Sequence, residues 1–261
     1  MMYAFLEYKI MYVRCIRKIF AFLQRNLYLC SVKTFKHYTP MALVETTIIR
    51  FKNCLSQREI EFFRGAIIEL ASMRDATLFH NHTDEGFRYD YPMIQYKNLQ
   101  GRTALVGVNQ GASELLWLRP YLNRELNIGI KRIPFEVISV ENTETQIGVM
   151  PGMMSYTLTD WLPLNQKNDR QFHSSSDESM RIALLESILS DSIFSFYKDL
   201  GYTPETKVLC KIERRSPIEK VLYKGVEMRT IDIDFLTNAL LPQYIGIGKG
   251  SSIGHGIVFT R

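Results

Sequence analysis

Glycine is concentrated near the carboxyl terminus of this 261-residue chain, where five glycines fall within residues 246–256. Two Gly-x-Gly units begin at Gly246 and Gly254, and a short apolar segment, residues 257–259, follows them. Glycine is favoured where φ is positive or where backbone must lie against another group, and its large entropy loss on ordering needs a structural reason. The segment therefore predicts a tight loop beside a strand, with N–H groups arranged as a nest for phosphate. A flexible tail or a glycine-kinked hairpin is the alternative.

The spacing of these glycines resembles that of a known superfamily. The pattern Gly246-x-Gly248-x5-Gly254-x-Gly256 resembles the glycine-rich signature of the RAMP superfamily, in particular the CRISPR-associated endoribonuclease that cuts precursor CRISPR RNA within its repeats. A second segment, residues 78–97, independently resembles the N-terminal domain of the Bacteroidetes-type branch of that family. Because the two matches lie far apart in the chain, the resemblance implies two tandem ferredoxin-like domains.

Charge alone does not predict RNA binding. The formal net charge is +5, but residues 1–40 carry seven Lys/Arg and one Asp/Glu, which leaves 25 basic and 26 acidic residues in the remainder. An RNA-binding surface must therefore come from local clustering. The densest cluster comprises Lys207, Lys211, Arg214, Arg215, Lys220 and Lys224. A solvated face of a strand pair is the alternative interpretation of this cluster.

The first forty residues and the cysteines limit the location of the protein. Charged residues interrupt every apolar run of residues 1–40, so we expect neither a membrane span nor a signal peptide there. We interpret this segment as a basic extension, added or mis-started, before a folded part that begins near Met41. The four cysteines show no paired spacing, which predicts no zinc site and no disulfides and favours the cytoplasm.

Residues 41–149 have the order strand, helix, strand, strand, helix, strand. Ser56 and Glu59 have the spacing of a capping box that opens an amphipathic helix. A hairpin turn is predicted at residues 98–101. The strands predicted here are residues 43–51, 87–96, 103–108, 135–140 and 146–149, and the second helix begins at Gly111.

Residues 150–261 repeat this order. Serines 174–176 are predicted to cap a long helix that ends at Gly201, and residues 235–241 are predicted to form a short helix ended by Pro242. The predicted strands are residues 154–163, 207–214, 226–233 and 257–259. The two halves predict an α+β fold of two tandem ferredoxin-like domains, residues 41–149 and 150–261.

Two histidines are the candidate catalytic residues. His80 and His82 lie between the first helix and the next strand. RNA supplies its own nucleophile, the 2′-hydroxyl, so cleavage needs a base and an acid, and histidine suits both because its pKa is near 6.5. The resemblance places the catalytic histidine of the family in this region, without choosing between the two. A structural pair of histidines is the alternative, and a zinc site is not favoured because no further ligands cluster nearby.

Other residues are candidates for RNA binding. Tyr89 and Tyr91 alternate with other residues on the predicted strand, where they are expected either to stack on bases or to be half-buried packing residues. Lys97 and Lys249 are candidate stabilisers of phosphate charge. The remaining candidates are Lys211, Arg214 and Arg215 of the basic cluster and Gly246, Gly248, Gly254, His255 and Gly256 of the glycine-rich loop.

The sequence and the resemblance together predict a metal-independent endoribonuclease without cofactors. Its expected partner is CRISPR repeat RNA, cut by 2′-hydroxyl attack to give a 2′,3′-cyclic phosphate and a 5′-hydroxyl. A CRISPR effector complex and a homodimer are further possible partners, and no membrane is expected. One alternative is a non-catalytic RAMP subunit that only holds RNA. Another is a ferredoxin-like protein whose glycine loop binds a small phosphate metabolite, which an apolar pocket would favour.

Overall fold

The structure, a computed structural model, describes residues 41–74, 77–80, 82–83, 86–87 and 91–261. The predicted basic extension, residues 1–40, and the candidate Tyr89 lie outside the described residues. The described residues belong to one compact unit.

The first part of the described chain contains a helix packed on strands, as the sequence predicts. Its elements are β1 (Ala42–Phe51), α1 (Gln57–Ala71), α2 (Thr77–His80), β2 (His82–Thr83), β3 (Gly86–Phe87), β4 (Ile94–Leu99), β5 (Arg102–Val108), α3 (Gln110–Leu118), β6 (Glu125–Ile128) and β7 (Lys131–Pro134). The second part consists of β8 (Val137–Trp161), α4 (Gln166–Ser174), α5 (Glu178–Asp199), β9 (Cys210–Arg215), β10 (Glu219–Tyr223), β11 (Val226–Leu240) and β12 (Ile257–Thr260). The predicted α+β class is confirmed.

One antiparallel sheet runs through both parts, in the order β10-β11-β8-β1-β5-β4, with β12 paired to β8 and β9 paired to β11. Strand β8 is 25 residues long. Its first half pairs with β1, and its second half pairs with β11 and β12. A single strand is therefore the backbone connection between the two parts of the fold.

The sequence prediction divided β8 into three strands, and this was wrong. Pro151 and Gly152 interrupt the strand pattern in the sequence. In the structure the pairing register between β8 and β11 shifts at this point. Thr237 of β11 pairs with Met154, but Ala239, two residues further along β11, pairs with Val149. The extra residues of β8 are accommodated as a bulge, which lets a strand continue through residues that suit a break.

Helix α1 forms as its sequence dictates. The Ser56 N–H donates to the Glu59 carboxylate at 2.9 Å, and this hydrogen bond is the main reason that the pKa of Glu59 is lowered. The helix buries one face against the sheet, where the Phe63 ring stacks on the Phe135 ring at 5.2 Å and meets the Phe51 ring edge-on. The buried apolar residues of this face are Ile60, Phe63, Ile67 and Leu70, as predicted.

The beginning of the long helix α5 differs from the prediction. Asp177 is the N-cap, and its carboxylate accepts from the Ser179 N–H at 2.8 Å. Ser174, expected in the cap, instead ends the separate helix α4. Helix α4 is almost entirely polar and buries only Phe172. It therefore lacks the regular spacing of apolar residues from which a helix is predicted. None of the described helices is long and apolar enough to cross a membrane.

The predicted helix at residues 235–241 was also wrong, because β11 continues through Leu240. Ile233, Phe235 and Thr237 are buried at alternate positions, which is the period of a strand. A short apolar run is compatible with the period of a helix and with that of a strand. Here the hydrogen-bonded pairing with β8 and β9 makes the segment a strand. The sequence also missed β10, which joins β11 through a turn at Lys224 and Gly225, both with positive φ.

The aromatic packing around Phe63 gives a test of this core. Phe63 is fully buried, whereas its neighbour Phe62 is 53% exposed. We expect Phe63→Ala to lower the free energy of unfolding by about 3–5 kcal/mol, because it leaves a cavity among aromatic rings. The matched change Phe62→Ala should cost no more than about 0.5 kcal/mol. Equal losses in urea unfolding would contradict this arrangement of α1.

Candidate nucleic-acid interface

The histidine segment follows a buried anchor. Phe79, in α2, is 2% exposed, and its carbonyl accepts from the hydroxyl of Tyr96, which is fully buried on β4. His80 ends α2, and the backbone of His82 pairs with Phe87 in the β2–β3 hairpin. The chain around the two candidate catalytic residues is thus attached to β4, while their side chains lie outside the described residues.

The glycine-rich loop, residues 246–256, lies between β11 and β12 and contains a short 3₁₀ turn, Ser251–Ile253. Gly256 has φ +63°, and a Cβ there would lie 2.1 Å from the Ile247 carbonyl oxygen. The prediction that glycine is needed for tight, positive-φ backbone is confirmed at this position. Several loop N–H groups donate to the protein itself, so the exposed residues Gly248 and Lys249 are the part of the loop open to a ligand.

His255 is an internal support of this loop. It is 5% exposed, and its Nδ1 lies 3.2 Å from the Asp160 carbonyl oxygen, which can only accept, so Nδ1 carries the proton and Nε2 the lone pair in the neutral ring. Burial lowers the pKa of His255, and the Asp160 hydrogen bond and the charge of Glu61 oppose this only in part. The Tyr223 ring meets the His255 ring edge-on at 5.6 Å.

Tyr223 also connects the loop with the β10–β11 hairpin. The ammonium group of Lys249 lies 5.5 Å from the centre of its ring, and that of Lys224 lies 5.7 Å away. Sequence analysis missed Tyr223, although its position directly before the Lys224-Gly225 turn is typical of a hairpin tip.

A cleft of about 640 Å³ opens beside Lys249. Residues at the beginning of α4, including Lys167, line it together with Arg229 of β11, so cationic groups from two elements face the same space. Asp169 and Glu227 also line the cleft, and Arg229 donates to the Asp169 carboxylate at 2.7 Å. The cleft lining mixes charged residues with apolar ones, and its cationic side chains suit a phosphate chain better than an apolar small molecule.

Three of the six cations in the predicted basic cluster, Arg214, Arg215 and Lys220, are paired with carboxylates. Arg214 pairs with Asp234 at 2.7 Å, and Arg215 pairs with Glu178 at 2.6 Å. Lys211 is exposed on the same strand, β9, and has no ion-pair partner within the described ranges. Of the three cluster residues predicted to bind RNA, Lys211, Arg214 and Arg215, only Lys211 offers an uncompensated charge in this part of the chain.

Tyr91 and Lys97 lie in the interior, in contrast to the surface positions expected for RNA contacts. The Tyr91 ring packs against Phe196 at 4.8 Å, and burial raises the pKa of its hydroxyl. Lys97 is fully buried and donates to the Gln95 side-chain oxygen at 2.6 Å and to the Tyr244 carbonyl at 2.9 Å. Burial lowers its pKa to about 7. Neither side chain presents a surface to a ligand in this arrangement.

The fold is that of solved RNA-processing proteins. A structure described as Cas6b superposes with a TM-score of 0.75 and 29% identity, over 84% of this chain and 100% of that chain. Another, described as the CRISPR RNA processing endoribonuclease Cas6b, gives a TM-score of 0.65 and 26% identity, again over 84% of this chain and 100% of that chain. The fold and its terminal glycine-rich loop therefore define a Cas6-type protein.

The two halves of the chain identify the family. The Cas6b N-terminal domain matches residues 42–146, and the Cas6b C-terminal domain matches residues 148–261. The chain belongs to the Cas6b family. A protein of Methanocaldococcus jannaschii, described as uncharacterized, is 34% identical over 139 residues, which are 51% of this chain and 93% of that protein. The prediction of a CRISPR-associated endoribonuclease family is confirmed.

The backbone geometry at Gly256 gives a test of the loop. Alanine at this position would combine a positive φ with a clash against Ile247, so we expect Gly256→Ala to lower the free energy of unfolding by about 2 kcal/mol. The control is Gly152→Ala in β8, where an added Cβ meets nothing within 4 Å. Its effect in thermal or urea unfolding should stay within about 0.5 kcal/mol. A harmless Gly256→Ala would show that the loop is looser than described.

Proposed function

We propose that this chain is a metal-independent endoribonuclease that binds CRISPR repeat RNA and processes precursor CRISPR RNA. The observation that carries the proposal is the match to Cas6b over both halves of the chain, residues 42–146 and 148–261. The solved relative described as a CRISPR RNA processing endoribonuclease aligns over its whole length with 84% of this chain. The cationic side chains that line the cleft beside Lys249 support an RNA substrate over an apolar metabolite.

The proposed chemistry needs no group beyond RNA and protein side chains. His80 or His82 removes the proton of a 2′-hydroxyl, and the 2′-oxygen then attacks the adjacent phosphorus. The bond from phosphorus to the 5′-oxygen breaks, and that oxygen leaves with a proton from an acid. The products are a 2′,3′-cyclic phosphate and a 5′-hydroxyl. Within the described residues, no three His, Cys, Asp or Glu side chains gather where a metal ion could be held.

RNA binding is proposed for the exposed surface around the glycine-rich loop. Lys249 and Lys167 supply positive charge along the cleft, whereas Arg229 is paired with Asp169. His255 supports the loop from inside and keeps a neutral ring near neutral pH, because burial lowers its pKa. Lys211 adds an exposed charge on β9, and Tyr89 stays a prediction for base stacking.

Cleavage by histidine variants tests the catalytic proposal. We expect His80→Ala or His82→Ala to reduce the single-turnover rate on the host's CRISPR repeat RNA by about 10²–10⁴-fold, the usual contribution of a general acid or base. Wild-type cleavage should persist in EDTA and stop when the RNA carries 2′-deoxyribose at the cut site. The control is His173→Ala, since His173 lies on α4 and pairs with Asp169.

The outcomes separate the proposal from its alternatives. Loss of activity in EDTA would contradict a metal-independent reaction. Tight binding of the repeat by wild type without any cleavage would instead support a non-catalytic RNA-holding subunit. Cutting of 2′-deoxy RNA would exclude the 2′-hydroxyl as nucleophile.

The charge of Lys249 gives a second test. Lys249→Ala should weaken repeat binding and reduce the slope of log K against log salt by about one, because one phosphate contact is lost. The control is Lys52→Ala, an exposed lysine at the end of β1 that pairs with Glu136. Equal effects of the two changes in a salt titration would place the RNA elsewhere on the surface.

Further predictions concern the setting of the protein. We propose a cytoplasmic location, and an effector complex or a homodimer remains a prediction for its assembly. Size measurement by light scattering, with and without repeat RNA, distinguishes monomer from dimer.

A further inference from the structure

A buried polar network joins the two sequence segments that carry the family resemblance. Gln95 and Lys97 belong to the first segment and lie on one face of β4, because side chains two residues apart in a strand share a face. Both are fully buried. Their hydrogen bonds reach Tyr244, just before the glycine-rich loop, and Gly246, the first residue of that loop.

The side chain of Gln95 is saturated by this network. Its oxygen accepts from the Gly246 N–H at 2.8 Å and from the Lys97 ammonium group at 2.6 Å. Its nitrogen donates to the Tyr91 hydroxyl at 2.7 Å and to the Pro92 carbonyl at 3.1 Å. Since every polar atom of the amide is used, its orientation is fixed, and so is the position of the Gly246 N–H.

Lys97 donates a hydrogen bond to Tyr244, whose backbone conformation is rare for a tyrosine. Tyr244 has φ +67°, in the left-handed region that favours glycine. Its carbonyl accepts from the Lys97 ammonium group at 2.9 Å, and its N–H donates to the Val258 carbonyl at 2.8 Å. Strained conformations persist only where the surroundings determine them, and they cluster at functional sites.

The burial of Lys97 has a cost that packing alone does not require. A buried cation loses its hydration, and an apolar side chain of similar volume would avoid that loss. Lys97 is expected to deprotonate near neutral pH, since its pKa is lowered to about 7, yet the neutral amine still has protons for both of its acceptors. A nonpolar residue could not form the hydrogen bonds that Lys97 makes to Tyr244 and Gln95.

We propose that Gln95 and Lys97 are positioning residues for RNA binding, which fix the entry of the glycine-rich loop on the N-terminal half of the sheet. They touch no RNA and act through the backbone of Tyr244 and Gly246. The link to RNA rests on the proposed function above. The proposed effect on the conformation of the loop does not rest on that function, because it concerns the protein without RNA.

The test compares Lys97→Met with Tyr197→Phe. Methionine keeps an unbranched side chain but removes the donor of Lys97. The Tyr197 hydroxyl is also buried and bonded to backbone, at the Gly148 and Leu240 carbonyls, so its loss is a matched control outside the loop. Both variants are measured in the full chain by urea unfolding, by amide hydrogen exchange of the loop and by binding of the host's repeat RNA.

We expect Lys97→Met to accelerate exchange of the Gly246 amide and to weaken RNA binding, each by about tenfold, since the hydrogen bonds of Lys97 to Tyr244 and to Gln95, which hold the entry of the loop, are lost. The single-turnover cleavage rate at saturating protein should change much less than binding does. Tyr197→Phe should lower stability without changing loop exchange or RNA binding. A folded Lys97→Met protein with unchanged exchange and binding would overturn the proposal, as would equal effects of Tyr197→Phe.

Wild-type protein supplies a measurement that does not depend on the variant folding. The Gly246 N–H donates to the Gln95 side-chain oxygen at 2.8 Å and also faces the Tyr91 hydroxyl of the same network, whereas the Val258 N–H donates to the Ile245 carbonyl beside β12. We expect the two amides to be protected to a similar degree. Free exchange at Gly246 would overturn the positioning role, whether or not the protein binds RNA. Absence of RNA binding with a protected Gly246 would contradict the proposed function alone.

Discussion

Strand β8 is the constraint on which the rest of the structure depends. Its first half is held by β1 and its second half by β11 and β12, so the two halves of the sheet have a fixed order along one strand. The carbonyl of Asp160, near the end of β8, accepts from the Gly256 N–H and lies beside the His255 ring. The shared strand thus places the glycine-rich loop as well as the sheet.

The loop is held from both halves of the chain. On one side, Asp160 and Tyr223 enclose His255; on the other, the Gln57 amide of α1 donates to the Ile253 carbonyl at 2.6 Å. Gln95 adds a bond to Gly246. Because the five glycines of the loop have no side chains with which to pack, these external hydrogen bonds help to determine its shape, together with the buried side chains of Ile247, Ile253 and His255. The shape of the loop consequently depends on residues far away in the sequence.

The sequence predicts local features of this protein better than its long-range contacts. The Ser56 cap and the tight backbone at Gly256 follow from residue chemistry at neighbouring positions, and the structure confirms both. The run at residues 235–241 was wrongly predicted as a helix, because only its pairing with β8 and β9 shows that the strand continues. Lys97 is similar: a lysine beside tyrosines suggests a surface, and only the partner at Tyr244 reveals its burial. The histidine assignment rests on family resemblance, since spacing alone leaves their role open.

Charge pairing limits how this protein can hold RNA. Arg214, Arg215 and Arg229 each contact a carboxylate, so these cations are already compensated before RNA arrives. Each phosphate contact made by a free cation adds to the salt dependence of binding, and a surface with few such cations gains little from counterion release. Under the proposed function, selectivity for a repeat would then depend on the shape of the cleft and the loop and on contacts to unpaired bases, as is usual for RNA recognition. Under the proposed function, Lys249 would contribute because it is exposed beside Tyr223 and the cleft, where RNA is proposed to bind.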